Sequence, residues 1–293
     1  MKIFDCFMYF DEEIVLDLRL NALNDYIDNF VIVESCYTHK GDKRKLTFNH
    51  KKFEQFKDKI IYLVYEDEPK ELLKINDPKE DDHEYVFNAL CRENGQRNFI
   101  SEGLTFAKDN DFILISDVDE IPNLEEINFS EIKEKIVQFK QDMFYYKFNL
   151  RLPSLTWVGT KACKKKDLIS PQWIRNVKDK KYSPFRLDIL FSKTKYSDIK
   201  FIQNGGWHFT NIKNASDIEL KFKSYLHHRE FDANPLSIDQ INDLIKNKKA
   251  IYDLKVDKRA KKIGNGGKLE NYSISKLPKY LQENLKKYNN WID

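Results

Sequence analysis

Short apolar runs alternate with segments of helical periodicity through the first half of the chain. The apolar runs, each typical of a buried strand, are residues 3–10, 30–33, 60–64 and 112–116. Between them, residues 12–26 place Ile14, Leu18 and Tyr26 at helical spacing, and residues 84–108 predict a long helix weakened by two glycines. Strands that alternate with helices predict an α/β fold, with a mostly parallel central sheet and helices on both faces.

The second half of the chain is less regular. Its predicted strands are residues 143–149, 188–192 and 200–203, and its predicted helices are residues 215–229 and 278–291. No internal repeat interrupts the sequence, and no linker rich in proline, glycine or serine divides it. We therefore predict one continuous domain over residues 1–293.

Composition limits the classes of function. Hydrophobic residues make up 41% and charged residues 33% of the chain, which is ordinary for a soluble globular protein. The formal charge of +3 is small against 50 basic and 47 acidic side chains, so no nucleic-acid partner is predicted. No apolar run approaches the roughly 20 residues that cross a bilayer. Four well-separated cysteines and the absence of a signal peptide predict a cytoplasmic protein with reduced thiols.

The segment FILISDVDEIP, residues 112–122, runs from large apolar side chains straight into three acids. In an extended chain Asp117 and Asp119 point the same way, because side chains alternate with a period of two. Two carboxylates this close repel each other unless a positive group lies between them. Mg²⁺ and Mn²⁺ prefer such oxygen ligands, so the pair predicts a site for a metal–diphosphate complex. An acidic turn with no ligand is the alternative interpretation.

A second enzymatic interpretation is available for the same segment. Phosphatases of the haloacid-dehalogenase type also carry an apolar strand followed by Asp-x-Asp, in which the first Asp is a nucleophile. They place it on an early strand, whereas two strand–helix units precede Asp117 here, and Ile121 stands where Thr or Val is usual. The phosphatase is kept as an alternative function.

Seven segments, taken in order, resemble glycosyltransferase family 17, the group of the β-1,4-mannosyl-glycoprotein β-1,4-N-acetylglucosaminyltransferase. They are DCFMYFDEEIVLDLRLNAL (residues 5–23), FVIVESCYTHKGDKRKLTF (30–48), RENGQR (92–97), SDVDEIP (116–122), GGWHFTN (205–211), HRE (228–230) and LPKYLQENLKKY (277–288). Each match is short, but together they span most of the chain, and SDVDEIP is the most specific. Cys91 stands where the family often has Trp, and residues 164–182 have no counterpart that we can place.

The resemblance implies a GT-A type nucleotide-sugar-binding fold, a UDP-sugar donor, Mn²⁺ or Mg²⁺, and an inverting transfer. N-acetylglucosamine is the expected sugar, and a glycan or lipid-linked oligosaccharide is the expected acceptor. Residues 1–125 would form the nucleotide-sugar-binding half and residues 126–293 the acceptor half. Animal members carry an N-terminal membrane helix that this sequence lacks, so the chain resembles a bacterial or viral member.

The resemblance also suggests roles for single residues. Asp119 is the expected metal ligand, and Asp117 would bind the ribose or a metal-bound water. His208 is either a third ligand or a core histidine. Arg97 is expected to contact the diphosphate, or to pair with Glu93 on the same helix.

Four further residues complete the predicted site. Glu34 ends the second strand, where such folds bind uridine, or caps the following loop. Arg92 is a second candidate for donor binding. Glu230 and Asp188 are candidates for the general base that an inverting transfer needs.

Two further alternatives stay open. The chain could be a glycan-binding module that has lost catalysis, although such a module need not keep a metal–diphosphate apparatus. The lysine-rich residues 246–268 form either a solvated face or a peripheral contact with an anionic membrane.

Overall fold

A computed structural model of the protein describes residues 1–76, 82–225, 228–253 and 263–293. Within these ranges the strands are β1 (Ile3–Tyr9), β2 (Asn29–Ser35), β3 (Ile60–Tyr65), β4 (Phe112–Asp117), β5 (Glu120–Pro122), β6 (Ile136–Tyr145), β7 (Leu150–Lys164), β8 (Ile199–Ile202), β9 (Gly206–Thr210) and β10 (Glu270–Asn271). The helices described are α1 (Glu13–Leu23), α2 (Asp82–Asn98), α3 (Pro171–Asn176), α4 (Leu187–Leu190), α5 (Ala215–Ser224), α6 (His228–Ala233), α7 (Ile238–Lys246) and α8 (Lys279–Glu283).

One sheet contains all of these strands. Its order is β3-β2-β1-β4-β7-β6-β9-β5, with β10 beside β7 and β8 beside β6. Pairing is parallel from β3 to β4 and between β6 and both β8 and β9. It is antiparallel where β7 joins β4, β6 and β10, and where β5 meets β9. The predicted α/β fold with a mostly parallel sheet is confirmed, and β7 links the parallel strands of the two halves.

The parallel strands are buried on both faces. In β2, Phe30 and Ile32 pack in one apolar cluster with the buried side of α1, whereas Val31 and Val33 pack in a second cluster on the opposite face. Neighbouring residues of a strand point to opposite faces, so each face needs its own cover. The second face is covered in part by Trp173 of α3. A third cluster lies between β6, β7 and helices α5 to α7.

The predicted helix over residues 84–108 is correct only as far as Asn98. Helix α2 ends there, and residues Phe99–Leu104 continue as a 3-10 helix against β2. A Cβ atom on Gly103 would lie 2.5 Å from Cγ1 of Val31. The bare glycine therefore allows the 3-10 helix to approach β2 closely.

The second half differs more from the sequence-based prediction. The strand expected at residues 143–149 is β6, which begins earlier and ends where Tyr146 adopts a φ of 65°. The sequence does not predict strand β7, because the N-terminal half of the strand contains polar residues and Pro153. The strand expected at residues 188–192 is wrong, since that segment contains the end of α4 in an exposed loop.

The remaining helices are shorter than predicted. Helix α5 ends at Ser224, and residues 226–227 of the expected helix lie outside the described ranges. Helix α8 ends at Glu283 and is followed by turns. The lysine-rich residues 246–268 also lie partly outside the description, over 254–262. None of the helices in the described part of the chain is both long and apolar enough to cross a membrane.

Candidate active site

A cavity of about 340 Å³ opens at the carboxyl edge of the parallel strands. Residues at the ends of three neighbouring strands line it, namely Tyr9 of β1, Ser35 of β2 and Asp117 of β4. The opposite wall comes from β6, β9 and α5. Ligands of open α/β sheets bind at this edge, and the volume is in the range of small-molecule sites.

Asp117 is held by two arginines. Arg97 Nη2 donates to its Oδ1 at 3.1 Å, and Arg175 Nη2 donates to its Oδ2 at 3.1 Å. Burial alone would raise the pKa of Asp117, but the charges of Arg175 and Arg97 outweigh it and hold the pKa well below its usual range. Asp117 is therefore ionised at neutral pH, with both of its oxygens already engaged.

Glu120 also binds Arg175, the second of the two arginines that contact Asp117. Its fully buried carboxylate accepts from Arg175 Nη1 at 2.6 Å, from Trp157 Nε1 at 2.7 Å and from the Asp117 backbone N–H at 2.9 Å. Arg175 lies on α3, which Ser170 caps, within the stretch that matched no family segment. Although that stretch has no family counterpart, its Arg175 lies against two of the three acids.

Asp119 faces His208 and Lys221 across the cavity. The distances are 3.4 Å from Asp119 Oδ1 to His208 Nε2 and 3.8 Å from Asp119 Oδ2 to Lys221 Nζ. Burial lowers the pKa of His208, but the Asp119 charge outweighs it and leaves the pKa raised. The pairing of β5 with β9 sets Glu120 opposite His208, which brings the acidic segment next to the Trp207-His208-Phe209 segment.

The donor set gives a limited fit to a divalent metal. In the described part of the chain, no group of three His, Cys, Asp or Glu side chains is arranged to hold a metal ion. Asp117 does not fit as a direct ligand, because both of its oxygens accept hydrogen bonds from arginines. Asp119 and His208 fit as a two-ligand set, which leaves coordination positions for phosphate oxygens and water.

Glu34 is committed to the loop after β2. Its buried carboxylate accepts from Arg44 Nη2 at 2.8 Å, from the Thr47 backbone at 2.7 Å and from Tyr62 Oη at 2.7 Å. It does not line the cavity. The geometry matches the loop-capping alternative, and the adjacent Ser35 reaches the cavity instead.

The two arginines of RENGQR lie in different places. Arg97 lines the cavity and also pairs with Glu93 at 2.7 Å, so both of its predicted contacts can coexist. Arg92 pairs with Glu68 at 2.7 Å and donates to the carbonyl of Lys40 at 3.2 Å. Arg92 does not line the cavity, because it lies beneath the loop after β2.

The two candidates for the general base lie in different parts of the structure. Asp188 lies on exposed α4 outside the cavity, and hydrogen bonds from Arg186 and Lys195 lower its pKa. Glu230 on α6 accepts a hydrogen bond from the hydroxyl of Tyr252, and Tyr252 lines the cavity. The structure therefore brings Glu230 near the site, one side chain back from it, and leaves Asp188 outside.

Sequence reasoning missed the group that holds the acidic segment in place. Arg19 of α1 is fully buried and paired with Asp5, with Nη2 to Oδ1 at 2.6 Å. Its Nη1 donates to the carbonyls of Asp117, Val118 and Glu120 at 3.1, 3.1 and 2.8 Å. An arginine between Leu18 and Leu20 on a helix face that is otherwise apolar was the signal in the sequence.

Comparison with known proteins assigns the chain to a family. The model of glycosyltransferase family 17 matches residues 1–292. No curated protein matches the chain. The family match covers nearly the whole sequence, including all the residues that meet in the cavity. The chain therefore belongs to glycosyltransferase family 17 and is a glycosyltransferase.

Proposed function

We propose that the protein is a GT-A type, metal-dependent inverting enzyme that transfers N-acetylglucosamine from a UDP-sugar to a glycan hydroxyl. One observation carries the proposal. Asp117 and Asp119 meet Arg97, His208 and Lys221 in a cavity at the carboxyl edge of the parallel strands, and Arg175 pairs with Asp117 from outside the cavity lining. This combination of cations and carboxylates suits a nucleotide diphosphate and its counterion.

The donor would lie along the edge of β1 and β2. Ser35, Tyr37 and Thr38 line that end of the cavity and would contact the nucleoside. Arg97 and Lys221 also line the cavity and would bind the diphosphate, since guanidinium and ammonium groups donate well to phosphate oxygens. Asp117, fixed between two arginines, would accept from a ribose hydroxyl or a bound water.

Asp119 and His208 would hold the metal. When bound, Mn²⁺ or Mg²⁺ supplies Lewis-acid stabilisation of the negative charge on departing UDP. Lys221 lies beside Asp119 and adds a second positive charge on the same side. Burial lowers the pKa of Lys221, but Asp119 and Glu12 outweigh it and leave the pKa raised, so the ammonium stays charged at neutral pH.

Glu230 is proposed as the base that takes the acceptor proton, acting through Tyr252. Glu12 is the alternative, because it lines the cavity directly. We expect Glu230→Gln to lower kcat by roughly 10²-fold or more with little change in donor affinity, since general base catalysis contributes about that much. Initial rates of Glu230→Gln and Glu12→Gln, measured with acceptor in excess, distinguish the two. A large loss in Glu12→Gln alone would assign the base to Glu12.

The two alternative functions receive less support. A phosphatase would need Asp117 as a free nucleophile, whereas both of its oxygens accept from arginines. A binding module without catalysis would need none of the charged groups that meet at Asp119. The family match also supports an enzyme that transfers sugars.

Calorimetric titration of UDP tests the proposal directly. With Mn²⁺ present we expect saturable binding, and with EDTA we expect binding at least about tenfold weaker, since metal and diphosphate bind together. Turnover with UDP-N-acetylglucosamine and other UDP-sugars then identifies the donor. Equal UDP binding with Mn²⁺ and EDTA would remove the metal from the proposal, and phosphate release from small phosphomonoesters would favour the phosphatase.

A further inference from the structure

Residues 178–196, here called the 178–196 loop, project three large apolar side chains into solvent. Phe185 is 94% exposed, Phe191 is 90% exposed and Leu187 is 76% exposed. Scattered exposed apolar residues are ordinary on protein surfaces, but such exposure of two phenylalanines and a leucine within seven residues of chain is not. Solvent exposure of this kind indicates a surface that binds another molecule or a membrane.

The base of the loop is fixed. The Lys178 backbone N–H donates to the Thr194 carbonyl at 2.9 Å, and that of Tyr182 donates to the Tyr196 carbonyl at 3.0 Å. Trp173 Nε1 donates to the Lys193 carbonyl at 2.6 Å, which ties the loop to α3. The apolar tip is therefore presented on an anchored stem.

The charge around the tip is positive. The 178–196 loop contains six basic and two acidic residues. The two acids are already neutralised, Asp179 by Lys161 at 2.7 Å and Asp188 by Arg186 and Lys195 at 2.9 and 2.8 Å. Lys180, Lys181 and Lys193 are exposed on the stem of the loop. The loop thus combines apolar side chains with a surplus of cations.

We propose that the 178–196 loop is a membrane-docking surface that inserts its apolar tip among anionic lipid headgroups. Basic residues near a bilayer attract acidic lipids, while aromatic and leucine side chains enter the boundary between headgroup and acyl chain. A stable protein partner would need some 20–30 residues on each side, which a short tip does not provide. Docking itself requires neither the proposed donor nor the proposed acceptor, and only its purpose rests on a lipid-carried acceptor.

Helix α3 connects the 178–196 loop to the acids of the cavity, so membrane docking would affect where the cavity lies. Helix α3 carries Trp173 at the stem of the loop and Arg175 at Asp117 and Glu120. A chain docked through the loop would hold its cavity near the lipid surface, where an acceptor carried on a lipid could reach it. This places the membrane contact in residues 178–196, outside the lysine-rich stretch that the sequence suggested.

Co-sedimentation of the full chain with lipid vesicles tests the inference. We expect binding to phosphatidylcholine vesicles that contain phosphatidylserine, and much weaker binding to phosphatidylcholine alone. The double variant Phe185→Ser/Phe191→Ser should bind at least about tenfold more weakly, because each phenylalanine loses its apolar transfer energy. Lys180→Glu/Lys193→Glu should lose at least about tenfold at low salt. Leu220→Ser, at an exposed leucine on α5, is the matched control and should bind like the wild type.

All of these changes are at exposed positions, so near-UV circular dichroism should show an unchanged fold. Vesicle binding that persists in Phe185→Ser/Phe191→Ser would overturn the proposal. So would a failure of the wild-type chain to bind vesicles of either composition. Self-association in sedimentation equilibrium, abolished by the same double variant and without vesicle binding, would assign the tip to contact between two copies of the chain.

Discussion

Asp119→Asn is expected to lower kcat/KM for sugar transfer by roughly 10³-fold, since a Lewis acid contributes several kcal/mol of charge stabilisation. The substitution removes the carboxylate that lies nearest to both His208 and Lys221. Metal affinity should fall with activity. Initial rates over a range of Mn²⁺ concentrations, with a UDP-sugar at saturation, measure both effects.

The control for this variant is Asp58→Asn, an exposed aspartate in the turn before β3. It removes the same charge from the chain but should leave turnover within about twofold, because long-range surface charge is screened by salt. An Asp119→Asn enzyme with wild-type turnover and an unchanged metal dependence would show that the cavity does not use Asp119. The proposed role of Asp119 would then have to be abandoned.

Arg19→Met is expected to lower the free energy of unfolding by about 3–5 kcal/mol, the usual effect of removing one partner of a buried ion pair. Asp5 would be left as an unpaired charge with no exposure, and three carbonyls of the acidic segment would lose their donor. Urea denaturation at neutral pH measures the change. Because the same guanidinium positions Asp117 and Glu120, turnover should fall even in conditions where the variant is folded.

A double-mutant cycle isolates the buried pair. Arg19→Met combined with Asp5→Leu should be less destabilised than the sum of the two single variants, since no unpaired carboxylate remains. The exposed pair Lys52–Glu13, at 2.6 Å and with Glu13 on the same helix as Arg19, is the matched control. Its removal should cost no more than about 1 kcal/mol. A loss equally small in Arg19→Met would mean that the buried pair does not hold the acidic segment.

The acids of the cavity were predictable because they follow from local pattern. An apolar strand that runs into Asp-Val-Asp indicates carboxylates at a strand end, whatever the rest of the chain does. The cations that surround them were not all predictable. Arg175 is 58 residues from Asp117 in sequence, and nothing in the local sequence of α3 indicates where its side chain lies. Lys221 faces Asp119 because α5 packs across the cavity, which is a tertiary fact.

Apolar composition also misled the strand prediction in one place. The residues around Leu187 and Phe191 have the composition of a buried strand, yet they are exposed on a loop. Periodicity and composition indicate how apolar a segment is, but not what the segment packs against. Strands β2 and β4 pack against the core of the same chain, and the strand prediction is confirmed for them. In residues 188–192 Phe191 is 90% exposed, the segment begins in a short helix, and the strand prediction fails.

The short strand β5 determines which side chain of β9 reaches the acids. Glu120 pairs with His208, and Pro122 pairs with Gly206. Gly206 has a φ of 125°, and a Cβ atom there would lie 2.2 Å from the Ile121 carbonyl oxygen, so a larger residue would clash. A slip of one residue would turn His208 away and put a large aromatic neighbour in its place. Insertions and deletions should therefore be tolerated in surface loops but not in β5 or β9. A change of one residue in the length of either strand would alter which side chain faces Asp119.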